Sequence, residues 1–246
     1  MRSAILSDIH ANREALEAVL ADLEGRSVDR LVFLGDLVGY GPDPDWVLGK
    51  VETLVARGAL AVRGNHDRAI SAPDGAMNPA ARRVIDWTVN RLNARQKLFL
   101  SDLPMSLQDG DVLFVHASAN DPQDWLYVTD AHRAMPSFRV SAARLIFVGH
   151  VHVPALYSED RNGRVAGFDI PFGTPIPLIS SRRWLGVVGS VGQPRDGTGQ
   201  ASYCILDHAS REVTYRRVGY DAALTAKKSR AAGLPERLAQ RLMQGV

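Results

Sequence analysis

Carboxylates, imidazoles and one carboxamide recur in this chain as short polar clusters: Asp8-Ile9-His10, Gly35-Asp36, Gly64-Asn65-His66-Asp67, Val115-His116 and Gly149-His150-Val151-His152. Such groups offer nitrogen and oxygen donors without a thiolate, a set that suits borderline divalent cations such as manganese, iron(II), cobalt or zinc. Each cluster alone has an ordinary explanation. Asp-x-His occurs where a capping Asp precedes a surface His, and Gly-Asp after a strand is a common chain reversal. Gly-Asn-His-Asp reads equally as a turn that tolerates left-handed backbone. Gly-His-x-His says more, because in an extended segment residues two apart face the same side and both imidazoles converge. Taken together, five of the seven histidines and two carboxylates fall in one order at the ends of apolar runs, which chance does not explain.

The elements that must carry these clusters are visible as apolar runs. Arg2 to Leu6, Leu31 to Leu34 and Ala59 to Val62 are short buried strands, each ending at a polar cluster. Between them lie helical patterns, one with Leu16, Val19, Leu20 and Leu23 after Asn12, another with Val47, Val51, Leu54 and Val55. Asp8 to Asp36 is 28 residues and Asp36 to Asn65 is 29, one strand–helix unit each, so the clusters arrive at neighbouring strand ends. Continuous apolar strands joined by helices predict a parallel arrangement covered on both faces, and ligands of open α/β sheets sit at the carboxyl edge. Ile85, Val89 and Leu92 mark a further helix. After residue 110 strands recur at Val112–Val115, Leu145–Val148, Leu185–Val188, Tyr203–Leu206 and Glu212–Val218, and the Gly- and Pro-rich segment Asp160 to Arg183 reads as a surface excursion or a hairpin. A helical tail over about 221–246 is interrupted at Gly233-Leu234-Pro235. We read residues 1–246 as one domain holding two packed sheets, without repeat or linker.

Composition narrows the classes. A 46% apolar and 23% charged chain of 246 residues is not globally disordered. Its net charge of +2 gives no electrostatic case for dedicated nucleic-acid binding. Cys204 is the only cysteine, so neither an intrachain disulfide nor a cysteine-rich zinc site can form. No apolar run reaches the ~20 residues of a membrane helix, and the first is too short for a signal peptide. A cytoplasmic protein with no membrane partner is the expectation; oligomeric state is open.

The ordered clusters resemble the signature of the calcineurin-like metallophosphoesterase family, D-x-H … G-D … G-N-H-D … H … G-H-x-H, from Asp8 to His152. Gly189-Ser190-Val191-Gly192-Gln193-Pro194-Arg195 looks like a loop of its small bacterial, phosphodiesterase-like members. The resemblance implies an α/β fold, a four-layer α/β/β/α sandwich of two mixed sheets flanked by helices. It implies two divalent metal ions (Mn²⁺, Fe²⁺ or Zn²⁺). Asp8, His10, Asp36 and His152 would hold one, and Asp36, Asn65, His116 and His150 the other, with Asp36 as bridge. His66 would be the proton donor rather than a ligand. Two cations ~3.5–4 Å apart clamp a phosphate and acidify a shared water, whose hydroxide attacks phosphorus in line, while His66 protonates the leaving oxygen.

Four further residues carry two readings each. Asp67 either orients the His66 imidazole or caps the following helix. Asn12 either reaches substrate or caps a helix. Arg195 either grips phosphate or is a solvated loop arginine. Tyr40 either stacks on an aromatic part of the substrate or packs its loop. Protein phosphatases of this superfamily read G-D-x-V-D-R-G where this chain has Gly35-Asp36-Leu37-Val38-Gly39-Tyr40-Gly41, so the Asp that steadies their histidine and the Arg that grips their phosphate are missing. The expected activity is therefore hydrolysis of a phosphodiester or nucleotide phosphoester, with a small phosphoester or nucleotide as partner. The alternatives are a serine/threonine-type protein phosphatase, a dinucleoside polyphosphate hydrolase, or a non-catalytic protein-binding scaffold. Scaffolds on this fold lose ligand positions, and all seven are present here together with His66.

Overall fold

The computed structural model describes residues 1–72 and 79–246. Its strands are Arg2–Leu6 (β1), Arg30–Phe33 (β2), Leu60–Ala61 (β3), Ser106–Asp109 (β4), Val112–Val115 (β5), Leu145–Val148 (β6), Ala155–Glu159 (β7), Val165–Phe168 (β8), Ile176–Pro177 (β9), Arg183–Val187 (β10), Ala201–Asp207 (β11) and Glu212–Val218 (β12). Its helices are Arg13–Leu23 (α1), Pro44–Val55 (α2), Asn65–Ser71 (α3), Pro79–Val89 (α4), Ala94–Asp102 (α5), Ala131–Val140 (α6), Ala222–Ala231 (α7) and Glu236–Gln244 (α8).

Strand β1 shows why the chain forms layers. Ala4 and Leu6 face one way and Ile5 the other, and all three are fully buried. A strand that is apolar on both faces needs cover on both. Ala4 and Leu6 pack with Leu16 and Val19 of α1 and Val47 of α2, whereas Ile5 packs with Phe114 and Phe147 of the opposite sheet. In β6 the same alternation recurs: Leu145 and Phe147 face the sheet–sheet core, Ile146 and Val148 face Ala134 and Phe138 of α6. The result is four layers, helix, sheet, sheet and helix.

Both sheets are mixed. The first runs β3-β2-β1-β11-β12-β9, with β1, β2 and β3 parallel and the rest antiparallel; the second runs β4-β5-β6-β10-β7-β8, with β5, β6 and β10 parallel. Cys204 and Tyr215 lie fully buried between them, and the Tyr215 hydroxyl donates to the Ala155 carbonyl at 3.1 Å, tying β12 of one sheet to β7 of the other. Burying each large apolar side chain here contributes about 1.5–3 kcal/mol.

Strands β4, β7, β8 and β9 and helices α3, α5 and α6 exceed what the apolar runs predicted. Strand β4 (Ser-Leu-Gln-Asp) is a half-exposed edge strand with little apolar signal, and β7 lies just before the Gly- and Pro-rich segment. That segment supplies the turn and second strand of the β7–β8 hairpin, with Gly163 N–H on the Asp160 carbonyl at 3.0 Å, and then β9. Helix α6 contains Pro136, and α5 has only a short apolar face beneath an Asn93–Gln96 capping box.

The C-terminal helices fold back across the start of α1. Thr225 Oγ1 and Lys228 Nζ of α7 donate to Glu14 at 2.8 and 2.7 Å. Leu238 of α8 packs with Val84 of α4 and with Tyr40. Among the described residues no helix is long and apolar enough to cross a membrane.

Candidate metal centre

The parallel strands β1, β2 and β3 of one sheet and β5 and β6 of the other deliver their C-terminal ends to one place. There the backbone leaves extended geometry abruptly. Asp8, His10, Asp36, Tyr40, His150 and His152 all have positive φ, between 49° and 66°. Left-handed backbone at non-glycine residues is costly and concentrates at functional sites. The turn at Gly64 is equally specific, since a Cβ there would sit 2.1 Å from Asp36 Oδ1, so only glycine lets the two strand ends approach.

Among the described residues, three groups of donor atoms lie close enough to hold a cation: Asp8, His10 and His152; His10, Asp36 and His66; and Asp36, His116 and His150. Asp36 belongs to two of them. His10 Nε2 lies 3.7 Å from both Asp8 Oδ1 and Asp36 Oδ2, and His116 Nε2 is 3.5 Å from Asp36 Oδ2. Asn65, the first residue of α3, places its Oδ1 3.2 Å from His116 Nε2, and His150 Nδ1 is 3.1 Å from the same nitrogen.

Main-chain carbonyls fix how the imidazoles point. His10 Nδ1 meets the Val38 carbonyl at 3.2 Å, His116 Nδ1 that of Leu34 at 2.7 Å, and His152 Nδ1 that of Gln193 at 2.6 Å. A carbonyl only accepts, so each Nδ1 carries the hydrogen and each Nε2 turns inward, the arrangement that metal-binding histidines adopt. His10 Nε2 and His152 Nε2 then lie 3.2 Å apart, and buried Asp8 Oδ1, 3.2 Å from His152 Nε2, has no hydrogen-bond donor. Converging nitrogens and an orphaned carboxylate oxygen fit a divalent cation.

The electrostatics agree. Burial pushes Asp8 and Asp36 up, but neighbouring histidines outweigh it and hold both carboxyls below the ordinary range. Burial works against charge on His116, yet the Asp36 and Asp8 carboxylates raise it to about 9. Burial, helped by His116, pushes His150 down to about 3, and burial lowers His10 and His66 as well.

His150 and His152 do not converge through strand alternation. Both lie in left-handed turns, and they face different groups, His150 with Asp36 and His116, His152 with Asp8 and His10. The two-residue spacing splits the pair instead of joining it.

His66, second residue of α3, shares a group with His10 and Asp36 and sets its N–H on Asp36 Oδ1 at 2.8 Å. Its ring meets Tyr40 at 4.4 Å and His10 at 5.0 Å, and its buried Nδ1 has no partner. A Cβ at residue 39 would lie 2.4 Å from that Nδ1, so Gly39 is what allows the ring its place. Asp67 does not orient it. The Asp67 carboxylate accepts from Gly64 N–H at 3.0 Å and from Leu37 and Val38 N–H at 2.9 and 3.2 Å, closing α3 and clamping the Asp36 loop. Burial and the charge on Asp36 push Asp67 up to about 7.

Asn12 is likewise spent within the fold. Its Oδ1 accepts from Ala15 N–H and Thr225 Oγ1 while its Nδ2 donates to the Gly192 carbonyl, so nothing of the amide faces a substrate. Tyr40 and Arg195 do stand at the site. The Tyr40 ring lies 4.5 Å from that of His10, and the Arg195 guanidinium 5.8 Å from the Tyr40 ring. Sequence reasoning missed the opposite wall, where Tyr127 stacks on His150 at 4.2 Å and Trp125 meets His116 edge-on at 5.9 Å. The only signal was an aromatic pair in a loop after His116.

A calcineurin-like phosphoesterase superfamily domain matches residues 1–211. An uncharacterized protein of Methanocaldococcus jannaschii is 34% identical over 251 residues, covering 98% of this chain and 97% of that one. The crystal structure of a metallophosphoesterase from Sphaerobacter thermophilus is 43% identical with a TM-score of 0.89, each chain covered in full. That of a hypothetical protein from Pyrococcus horikoshii shares the fold, with a TM-score of 0.80 at 21% identity over 100% of this chain and 98% of that one. The chain belongs to the calcineurin-like phosphoesterase superfamily.

Proposed function

We propose that this member of the calcineurin-like phosphoesterase superfamily is a two-metal hydrolase of phosphodiester or nucleotide phosphoester bonds. The observation that carries the reading is Asp36, whose Oδ2 lies 3.7 Å from His10 Nε2 and 3.5 Å from His116 Nε2, between the two sets of donors. Asp8, His10, Asp36 and His152 would hold one cation, and Asp36, Asn65, His116 and His150 the other; manganese, iron(II) and zinc all suit this donor set. Bound there, divalent cations supply Lewis acidity toward a phosphoryl oxygen and lower the pKa of coordinated water.

The chain's own residues do the rest. Val38, Leu34 and Gln193 carbonyls hold the imidazoles in one tautomer, so the donor atoms need little rearrangement. Asp67 fixes the Asp36 loop through three main-chain hydrogen bonds. His66 would give a departing oxygen its proton, and the Tyr40 ring packs against it at 4.4 Å. Tyr127, half exposed and stacked on His150, offers a face to an aromatic leaving group or base.

Gly39 supports a diester or nucleotide over a phosphoprotein. The place where protein phosphatases carry their second Asp is filled here by the His66 ring. A diester also has less charge to neutralise than a dianionic monoester, so it loses less without their Arg. The intact donor set argues against a non-catalytic scaffold. The test is a panel of bis(p-nitrophenyl) phosphate, cyclic nucleotides, dinucleoside polyphosphates and phosphopeptides, each with manganese, iron(II) and zinc. Higher kcat/KM for diesters or nucleotides is expected; a clear preference for phosphopeptides would reinstate the protein phosphatase.

A further inference from the structure

Beyond Tyr40, whose ring lies 5.8 Å from the Arg195 guanidinium, helix α8 packs beside the Arg195 loop and carries two more arginines. Arg195 lies in the loop after β10, and Arg237 and Arg241 stand one turn apart on the same side of α8. The acids adjacent to them in sequence are engaged elsewhere: Asp196 pairs with Arg217 at 2.7 Å and Glu236 with Arg230 at 2.7 Å. Among the described residues, none of the three arginines forms an ion pair. Arg195 Nη2 donates to Gln193 Oε1 at 2.9 Å, while among the described residues buried Arg195 Nε and Gln193 Nε2 have no partner. Burial lowers Arg241, and the charges of Arg195 and Arg237 lower it further.

This cluster is built, not incidental. Leu238 and Leu242, each next to one of the α8 arginines, are buried with Tyr40, His10 and Gln193 around a space of about 10 Å³. That is too small for more than one water, so α8 seals this flank. The end of α8 is pinned to the Arg195 loop by Gly197 N–H on the Gly245 carbonyl at 2.9 Å. Like charges held together by packing invite an anion, and guanidinium forks match phosphate oxygens.

We infer that Arg195, Arg237 and Arg241 form a subsite for a second phosphoryl group of the substrate, beyond the one that is hydrolysed. The inference rests on the phosphoesterase reading and narrows it to phosphoesters that continue into a polyphosphate chain. The overall charge of +2 and the small size of the cluster favour such a compact ligand over an extended nucleic acid.

The test compares binding of inorganic tripolyphosphate and orthophosphate by calorimetry at a fixed free manganese concentration. The proteins are wild type, Arg237→Gln, Arg241→Gln and the double variant, with folding checked by thermal melting. Hydrolysis of bis(p-nitrophenyl) phosphate is followed in the same samples. Tripolyphosphate should bind wild type at least about tenfold more tightly than orthophosphate, the worth of one charge-assisted hydrogen bond. The double variant should lose that advantage, each single variant part of it, and bis(p-nitrophenyl) phosphate turnover should stay within about twofold. An advantage that survives in the double variant overturns the subsite, as does a wild-type preference for a single-stranded oligonucleotide over tripolyphosphate. If wild type fails to hydrolyse the diester yet keeps an arginine-dependent tripolyphosphate preference, the phosphoesterase reading falls and the anion subsite stands.

Discussion

Helix α1 connects two polar regions built on opposite principles. Its N-cap, Asn12, adjoins His10 at the candidate metal centre; its last turn carries Asp22, about 15 Å away at 1.5 Å per residue. Asp22 is saturated by its own chain: it accepts from Arg26 at 2.6 Å, from Arg216 at 2.9 and 3.2 Å and from the Tyr203 hydroxyl at 2.6 Å. The other end holds buried Asp8, Asp36 and Asp67 among histidines, with Asp8 Oδ1 and His66 Nδ1 unsatisfied and the backbone strained. A polar cluster that closes on itself stabilises a fold, whereas one left incomplete under strain costs stability that a ligand can return. Substitutions at the two ends should therefore separate activity from stability.

The largest effect is expected at Asp36. Asp36→Asn should lower turnover roughly 10⁴-fold, the several kcal/mol of transition-state stabilisation that metal ions supply. The readout here is activity, because the histidines that hold the Asp36 carboxyl below the ordinary range lose its charge as well, which also costs stability. Turnover within about tenfold of wild type at saturating metal would make Asp36 a structural residue like Asp22. His66→Ala should cost ~10²–10⁴-fold in kcat for a poor leaving group and less for p-nitrophenolate, which departs without a proton. An equal loss on both would remove His66 from proton transfer.

Asp22→Asn should do the reverse, destabilising by about 1–2 kcal/mol at neutral pH with activity within about twofold. The sign follows from linkage. Its guanidinium and hydroxyl partners outweigh burial and hold the Asp22 carboxyl below the ordinary range. Its contribution is therefore complete above the unfolded pKa of about 4 and fades as pH falls toward the depressed folded value. The variant's stability should vary less with pH below about 4, as denaturant titrations at several pH values would reveal. The smallest effect is expected at Tyr127: Tyr127→Ala should raise KM for nitrophenyl or nucleotide substrates about two- to fivefold, the worth of one aromatic contact. A melting temperature lowered instead would assign that ring to packing.

That these side chains gather was legible because metal chemistry constrains side-chain type and the strand–helix units bring the clusters to neighbouring strand ends. The layers were legible in apolar runs such as Leu145–Val148, buried on both faces. What escaped notice is carried by the main chain or by tertiary approach. Carbonyls of Leu34, Val38 and Gln193 orient three imidazoles, and a carbonyl has no residue identity to read. The left-handed turns at His150 and His152 overrode the alternation of an extended segment. Tyr127 and α8 reach the site across long sequence separations, and Pro136 disguised α6. Asp67 lies three residues after the N-cap of α3, and the capping alternative follows from that local position.

The central claim is that Asp36 is common to two cation sites and that His66 belongs to neither. Equilibrium titration of chelator-stripped protein with manganese or zinc, with elemental analysis of the loaded samples, tests it directly. Two ions per chain are expected for wild type and for His66→Ala, and one or none for Asp36→Asn. Loss of an ion in His66→Ala would make that imidazole a ligand, and two tightly held ions in Asp36→Asn would contradict the shared carboxylate.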